Sequence, residues 1–250
     1  MAKKAIKPPE LELETNETDF PFQEEMLLAI FIGLITVNKL PRELFNYTFF
    51  SIMNQLELSV NKNSKLFAKI ADNIAAFSAN KTFQEVYAIQ SLKNEAAIVT
   101  QSSFMESAKT IDKVFNKNWL EVEKDAAFKM GESAKQWEYI QETKELFPLL
   151  KYSTVRDNRV RESHAEQEGK IYPVDHPYWD TWMPINDWRC RCTVNQIAEG
   201  KITPGKWSPN DNPIFGINPG KTGIVFKETH PYFDVPKKFK KSQKNNFGLT

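Results

Sequence analysis

The chain has 250 residues, enough for one large domain or two modest ones and for a core that needs no covalent staples. Its 41% hydrophobic and 26% charged residues exclude wholesale disorder. A net charge of +1 argues against a nucleic-acid coat built on excess positive charge, and two cysteines are too few for a disulfide framework. A reducing compartment is the simplest expectation.

Residues 1–19 mix Lys, Pro and Glu with little apolar content, which predicts a flexible arm. The apolar run Met26–Val37 is about a dozen residues, short of the roughly 20 that a spanning helix needs, so it predicts a buried helix and no membrane contact. Within it Met26, Ile30, Leu34 and Val37 recur at helical spacing. After Pro41 a second helix is expected, with Leu44, Tyr47 and Phe50 along one face. Leu66, Ile70, Ile74 and Phe77 form a clear amphipathic stripe. Thr82 followed by Glu85 has the spacing of a capping box and predicts a new helix through Val86, Ile89 and Leu92. Between Gln101 and Phe147 there is one glycine, Gly131, and no proline, so further helices are expected up to Pro148.

Beyond Pro148 proline, glycine and tryptophan become frequent and long periodic segments stop, which places a domain boundary near residues 148–152. Residues 151–155, 171–174, 193–197 and 223–226 are candidate strands, and Arg156–Glu168 a candidate helix closed by a left-handed Gly169. The expected class is α+β: a mostly helical domain over 20–148, then a small loop-rich α+β domain over 149–235. Residues 236–250 carry Lys237, Lys238, Lys240, Lys241 and Lys244 with no acidic residue, which predicts a basic flexible tail able to touch DNA nonspecifically or simply to stay solvated.

Chemistry concentrates between Arg156 and Cys192, which hold both cysteines and two of the three histidines. Helical spacing would set the guanidinium groups of Arg156, Arg159 and Arg161 beside the imidazole of His164. That pattern suits either internal ion pairing with Asp157, Glu162, Asp175, Asp180 and Asp187 or an anion and acid/base site around His164. Cys190 and Cys192, one residue apart, point to the same side of an extended chain. Three readings stay open: two small side chains packed in a core, a soft-metal site with His164 and a fourth ligand such as His176 or Asp175, or a redox pair. Zinc is the candidate metal for the second. Trp179, Trp182, Trp188 and Trp207 predict aromatic filler in an irregular segment, with a ligand platform as the alternative.

The residues Arg156, Asp157, Arg159, Val160, Arg161, His164 and Gly169, then Pro173, Asp175, Pro177 and Trp179, then Pro184, Asn186, Trp188, Cys190, Arg191 and Cys192, carry a family resemblance. In order and spacing they resemble the phage Mu protein F-like minor head family, also called phage head morphogenesis proteins. Asn218-Pro-Gly220 resembles a turn common there, so the likeness covers about residues 150 to 225. It implies a minor head protein of a tailed phage or prophage. Such a protein would work in the host cytoplasm during assembly and then in the virion, with portal and capsid or scaffold proteins as partners. The contrasting expectation is a metal- or His-dependent nuclease of the phage head, with His164, Asp157 and Asp175 as its acid/base set and Arg159 and Arg161 as phosphate clamps. No paired-carboxylate motif for two metals accompanies that set.

Overall fold

The computed structural model describes residues 23–62, 64–95 and 100–250; the arm expected over 1–19 lies outside them. Helices α1 (Gln23–Ile32), α2 (Arg42–Leu56), α3 (Lys65–Ser91), α4 (Gln101–Lys113) and α5 (Leu120–Thr143) come first, with a π-helical turn at Val114–Trp119 between the last two. Strand β1 (Leu149–Ser153), helix α6 (Glu162–Ala165), β2 (Ile171–Pro173), α7 (Tyr178–Thr181) and β3 (Thr193–Ile197) follow. Two further single turns, α8 (Pro219–Thr222) and α9 (Lys240–Gln243), come after the sheet, with short 3-10 turns at Pro231–Phe233, Lys237–Phe239 and Asn246–Gly248. The fold is α+β, as expected.

The chain forms two compact units, cut differently from the linear division expected at residues 148–152. One comprises residues up to 53, 74–124 and 231–250; the other comprises 54–73 and 125–230. Helices α3 and α5 each give residues to both, so no single point on the chain separates them.

In the first unit α1 buries Met26, Leu27 and Ile30 against Leu44, Val86, Ile89, Phe104 and Ala108. Burial of each large apolar side chain in this cluster contributes roughly 1.5–3 kcal/mol to the unit's stability. The stripe expected to run to Val37 is cut short, because Gly33 takes φ +84° and ends the helix, leaving Leu34 exposed. No described helix is long and apolar enough to cross a membrane. On α2 the buried face is Leu44, Phe45, Thr48, Phe49, Ile52 and Leu56, rotated by about one residue from the face expected.

The capping box expected at Thr82 does not form. Thr82 lies inside the continuous helix α3, and its hydroxyl donates to the Ser78 carbonyl four residues back at 2.9 Å. Glu85, fully buried, accepts instead from Asn116 Nδ2 at 2.8 Å. Burial and the nearby Asp112 push its carboxyl well above the usual carboxylate range. Beside it, buried Lys81 pairs with Glu123, which also accepts from the Tyr232 hydroxyl at 2.8 Å.

The lysine-rich end is not a flexible tail. Aromatic residues between the lysines anchor it: Val235 and Phe239 are buried on Phe83, with the Phe239 and Phe83 ring centroids 5.0 Å apart, and Phe247 stacks on Phe83 at 4.8 Å. Gln84 donates to the carbonyls of Tyr232 and Asp234, and Gln243 to that of Phe233.

The second unit holds a three-stranded antiparallel sheet in the order β2-β1-β3. β1 is central, pairing Leu150 with Tyr172 on one side and Ser153 with Thr193 on the other. Residues 223–226, expected as a strand, are irregular: Asn73 takes up the backbone N–H groups of Val225 and Phe226 through its side chain, leaving them no sheet partner. Tyr172, Tyr178, Trp179 and Trp182 pack in this unit as buried filler. The indole N–H of Trp179 donates to the Pro173 carbonyl and that of Trp182 to Ser208.

Candidate metal centre

The helix expected over Arg156–Glu168 shrinks to the single turn α6, and this shapes the site. Arg156 takes φ +56°, and Asp157 accepts from the Arg159 N–H at 3.0 Å, so the chain turns instead of coiling. Glu168 fastens that turn from its far end. It accepts from Thr154 N at 2.6 Å and Thr154 Oγ1 at 2.7 Å, and from Arg156 at 2.8 and 3.1 Å. Partial burial alone would raise its pKa, but the Thr154 and Arg156 donors outweigh that and hold it at about 2. Gly169, at φ +75°, then swings the chain back so that its N–H meets the Tyr152 carbonyl in β1. The left-handed glycine expected at this position is present.

Within this frame His164, on α6, meets both cysteines. Cys192 directly precedes β3, and Cys190 closes a turn by donating its N–H to the Asp187 carbonyl. His164 Nδ1 lies 3.7 Å from Cys190 Sγ and 3.7 Å from Cys192 Sγ. The three donor atoms all fall within 4.8 Å of one another, all three residues are buried, and both cysteines are free. Nitrogen and sulfur ligands at ordinary zinc bond lengths and a tetrahedral angle would stand about 3.6 Å apart, so the spacing suits joint ligation of one ion.

The two sulfurs interact with each other as well as with His164. A hydrogen bond from Cys192, with help from His164, holds the Cys190 thiol well below its usual range. Cys192 is pushed up by the bond it donates, by burial and by the charge on Cys190. Tyr152 on β1 gives a further hydrogen bond to Cys192 while accepting from Asn186 Nδ2 at 3.1 Å; burial and the neighbouring sulfurs push its phenol up. The Trp182 ring meets the His164 ring edge to face at 6.4 Å. Donor groups bonded to the sulfurs in this way fix the orientation of the two cysteine side chains.

The arginines lie outside this nucleus. Arg191 makes a two-point pair with Asp157 at 2.7 and 2.8 Å, which holds Asp157 at about 2. Arg161 reaches Asp187 at 2.9 Å and the Trp188 carbonyl at 3.0 Å, tying the start of α6 to the turn before Cys190. The other residues singled out from the sequence stand apart. Asp175 pairs with Lys144, and His176 accepts from Tyr178 N and stacks on Tyr172 at 4.5 Å; neither joins the three donors. Asp157 is committed to arginines and does not join them either, so the acid/base set of His164, Asp157 and Asp175 is not assembled as a group of neighbouring donors. Trp179 is fully buried, and Trp188 packs on Phe215. Asn218 caps α8, accepting from Gly220 N at 3.0 Å and donating to the Trp179 carbonyl.

Tyr152, Glu168 and Arg189 were not foreseen as site residues. Nothing in residue type or spacing marks Tyr152 or Glu168: Tyr152 meets Asn186, 34 residues on, and Glu168 meets Thr154, 14 residues back. Arg189 lies next to Cys190 in the sequence, which by itself assigns it no role.

Residues 95–195, which include all three donors, match the family described as Phage Mu protein F like protein. The chain is 40% identical over 80 residues to the Mu-like prophage FluMu F protein of Haemophilus influenzae, covering 32% of this chain and 18% of that protein. It is 27% identical over 99 residues to a protein of Escherichia phage Mu named "Putative capsid assembly protein F", covering 37% and 23%. A further, uncharacterized Haemophilus influenzae protein is 28% identical over 168 residues, or 66% of this chain and 36% of that one. The chain thus spans less than two fifths of the length of each of these relatives. No solved structure matches it. The segment that builds the Cys–His nucleus lies within the part of the chain that is similar to the Phage Mu protein F like family.

Proposed function

We propose that the chain is a minor head protein of a tailed phage or prophage, acting in head assembly at the portal or procapsid and remaining in the virion. The observation that carries this reading is the match over residues 95–195 to proteins named for phage Mu F and for capsid assembly. The physical character of the segment agrees with a scaffold. Its donors are buried, Arg161 and Arg191 are paired across turns with Asp187 and Asp157, and its aromatics are packed as filler.

Contact with packaged DNA is assigned to the C-terminal lysines. Lys237, Lys238, Lys240, Lys241 and Lys244 are exposed on an anchored segment, and none forms an ion pair with a carboxylate among the described residues. Such a patch would bind phosphates weakly and without sequence preference, with a log–log salt slope of about 0.9 per phosphate neutralised.

The test is quantitative mass spectrometry of procapsids from the genome that encodes the chain, with cross-linking to the portal. A few copies per particle, cross-linked to portal subunits, are expected. Absence from procapsids, with normal heads in a deletion strain, would overturn the assignment. Replacing the five lysines by glutamine should flatten the salt dependence of DNA retention without removing the chain from the head.

A further inference from the structure

The Cys–His nucleus lies at the bottom of a pocket, and what surrounds the opening bears on its chemistry. The same pocket that reaches Cys190, Cys192 and His164 is lined by Arg159, Arg161, Arg189 and Arg191. The three donors are buried whereas all four arginines are exposed, so the donors form the floor and the guanidinium groups the rim.

Two of the four are already neutralised, Arg191 by Asp157 and Arg161 by Asp187. Arg189 has no carboxylate partner among the described residues. Arg159 has only the 3.7 Å approach to an Asp157 already held by Arg191. The backbone at Arg189 is held at φ +55°, a conformation that non-glycine residues rarely adopt.

From these observations we infer that His164, Cys190 and Cys192 hold one soft divalent cation of the zinc type, whose fourth position opens into the pocket and takes a phosphate-type oxyanion under Arg159 and Arg189. Three protein donors with no fourth among the described residues is the arrangement of a zinc site that keeps an exchangeable position; a purely structural site closes with four. Charge selects the occupant. Two thiolates cancel the charge of a divalent ion, which leaves the uncommitted guanidiniums as the net field at the opening, and a planar guanidinium matches phosphate oxygens two at a time. The anion would donate one oxygen to the metal and receive N–H bonds from the rim, with no bond broken.

The experiment uses the full chain, stripped of metal and titrated with Co²⁺, whose thiolate charge-transfer and visible bands report ligands directly. One equivalent should bind with a sulfur-to-cobalt band. Cys190→Ser and Cys192→Ser should each weaken that band while circular dichroism shows them folded. Binding of no cobalt, or a spectrum that survives both substitutions, would overturn the site. Inorganic phosphate added to the cobalt-loaded protein should then shift the visible bands saturably, and Arg189→Gln should raise the phosphate needed by about tenfold at unchanged cobalt stoichiometry. One lost two-point contact of about 1.4 kcal/mol corresponds to that factor. Bands that phosphate leaves unmoved would refute the open position. A 5′-phosphorylated oligonucleotide that acts at lower concentration than phosphate, when its unphosphorylated counterpart does not act, would identify a nucleic-acid end as the source of the oxyanion. Equal potency of oligonucleotide phosphate and free phosphate would identify the free anion.

Discussion

Glu168 offers the sharpest test of how the site is held. Its two carboxylate oxygens divide their work: Oε2 takes both donors of Thr154, and Oε1 takes the Arg156 guanidinium. In Glu168→Gln the amide nitrogen must face one pair or the other. Arg156 is 71% exposed at its side chain and can turn to water, so the amide should face Arg156 and the remaining oxygen should keep Thr154. The loss is then mostly the charge assistance on the two Thr154 bonds, since an exposed ion pair contributes under about 1 kcal/mol. Hydrogen bonds to charged groups stabilise by roughly 1.5–3 kcal/mol against roughly 0.5–1.5 for neutral ones, so the change should cost about 2 kcal/mol at pH 7. In a chain of this length that is a fall in Tm of roughly 4–8 °C.

The pH dependence gives the direction a second check. The folded-state value, about 2, lies below the ordinary 4.5, so the carboxylate stabilises fully above pH 4.5 and progressively less as pH falls toward 2. Urea melts of wild type and Glu168→Gln should therefore differ equally at pH 7 and pH 5 and converge below pH 4. A gap that stayed constant down to pH 2.5 would refute the electrostatic account, and no gap at pH 7 would refute the role of Glu168 altogether.

Other substitutions test the packing within each unit. Gly131→Ala would set a methyl 2.1 Å from Ser59 Oγ and 2.8 Å from Leu56 Cδ1, costing about 1–3 kcal/mol by thermal melting, with part recovered by adding Ser59→Gly. Lys81→Met would strand Glu123 at 3% side-chain exposure and cost about 3–5 kcal/mol, whereas Lys81→Met with Glu123→Gln should cost clearly less in the same urea melt. Asn218→Ala removes the cap of α8 and the bond to the Trp179 carbonyl, for about 1–2 kcal/mol and a matching fall in Tm. Cys190→Ala should lower Tm and abolish any rise in Tm on adding Zn²⁺, while leaving DNA retention by the lysines unchanged.

Much of the nucleus was legible in the residues that carry chemistry. The alternation of Cys190 and Cys192 in extended chain, the turn at Gly169 and the strands beginning near 149, 171 and 193 follow from local periodicity and backbone preference. Local signals misled where burial decided the outcome. Thr82 and Glu85 have capping spacing, but helix α3 continues because Ile74, Phe77, Phe83 and Val86 are all buried along it. The lysine run looked like a solvated end because charge dominates its composition, yet Phe239, Phe247 and Leu249 decide where it lies. The arginines gave no hint of which would pair, since Asp157 and Arg191 are 34 residues apart. A helix expected over 156–168 would have set them on one face. The turn that replaces it sends Arg159 and Arg161 to the pocket opening and Arg156 to Glu168.

Residues 231–250 complete a unit that begins near the start of the chain, and this bears on its synthesis. On the ribosome, Phe83 and Lys81 emerge long before Phe239 and Tyr232 can cover them, so the earliest helices must wait with an apolar flank uncovered. Nascent-chain proteolysis should therefore find this part protected only after the last twenty residues clear the exit tunnel. Tags or stop codons placed before Pro231 should yield aggregates, not a shortened native protein.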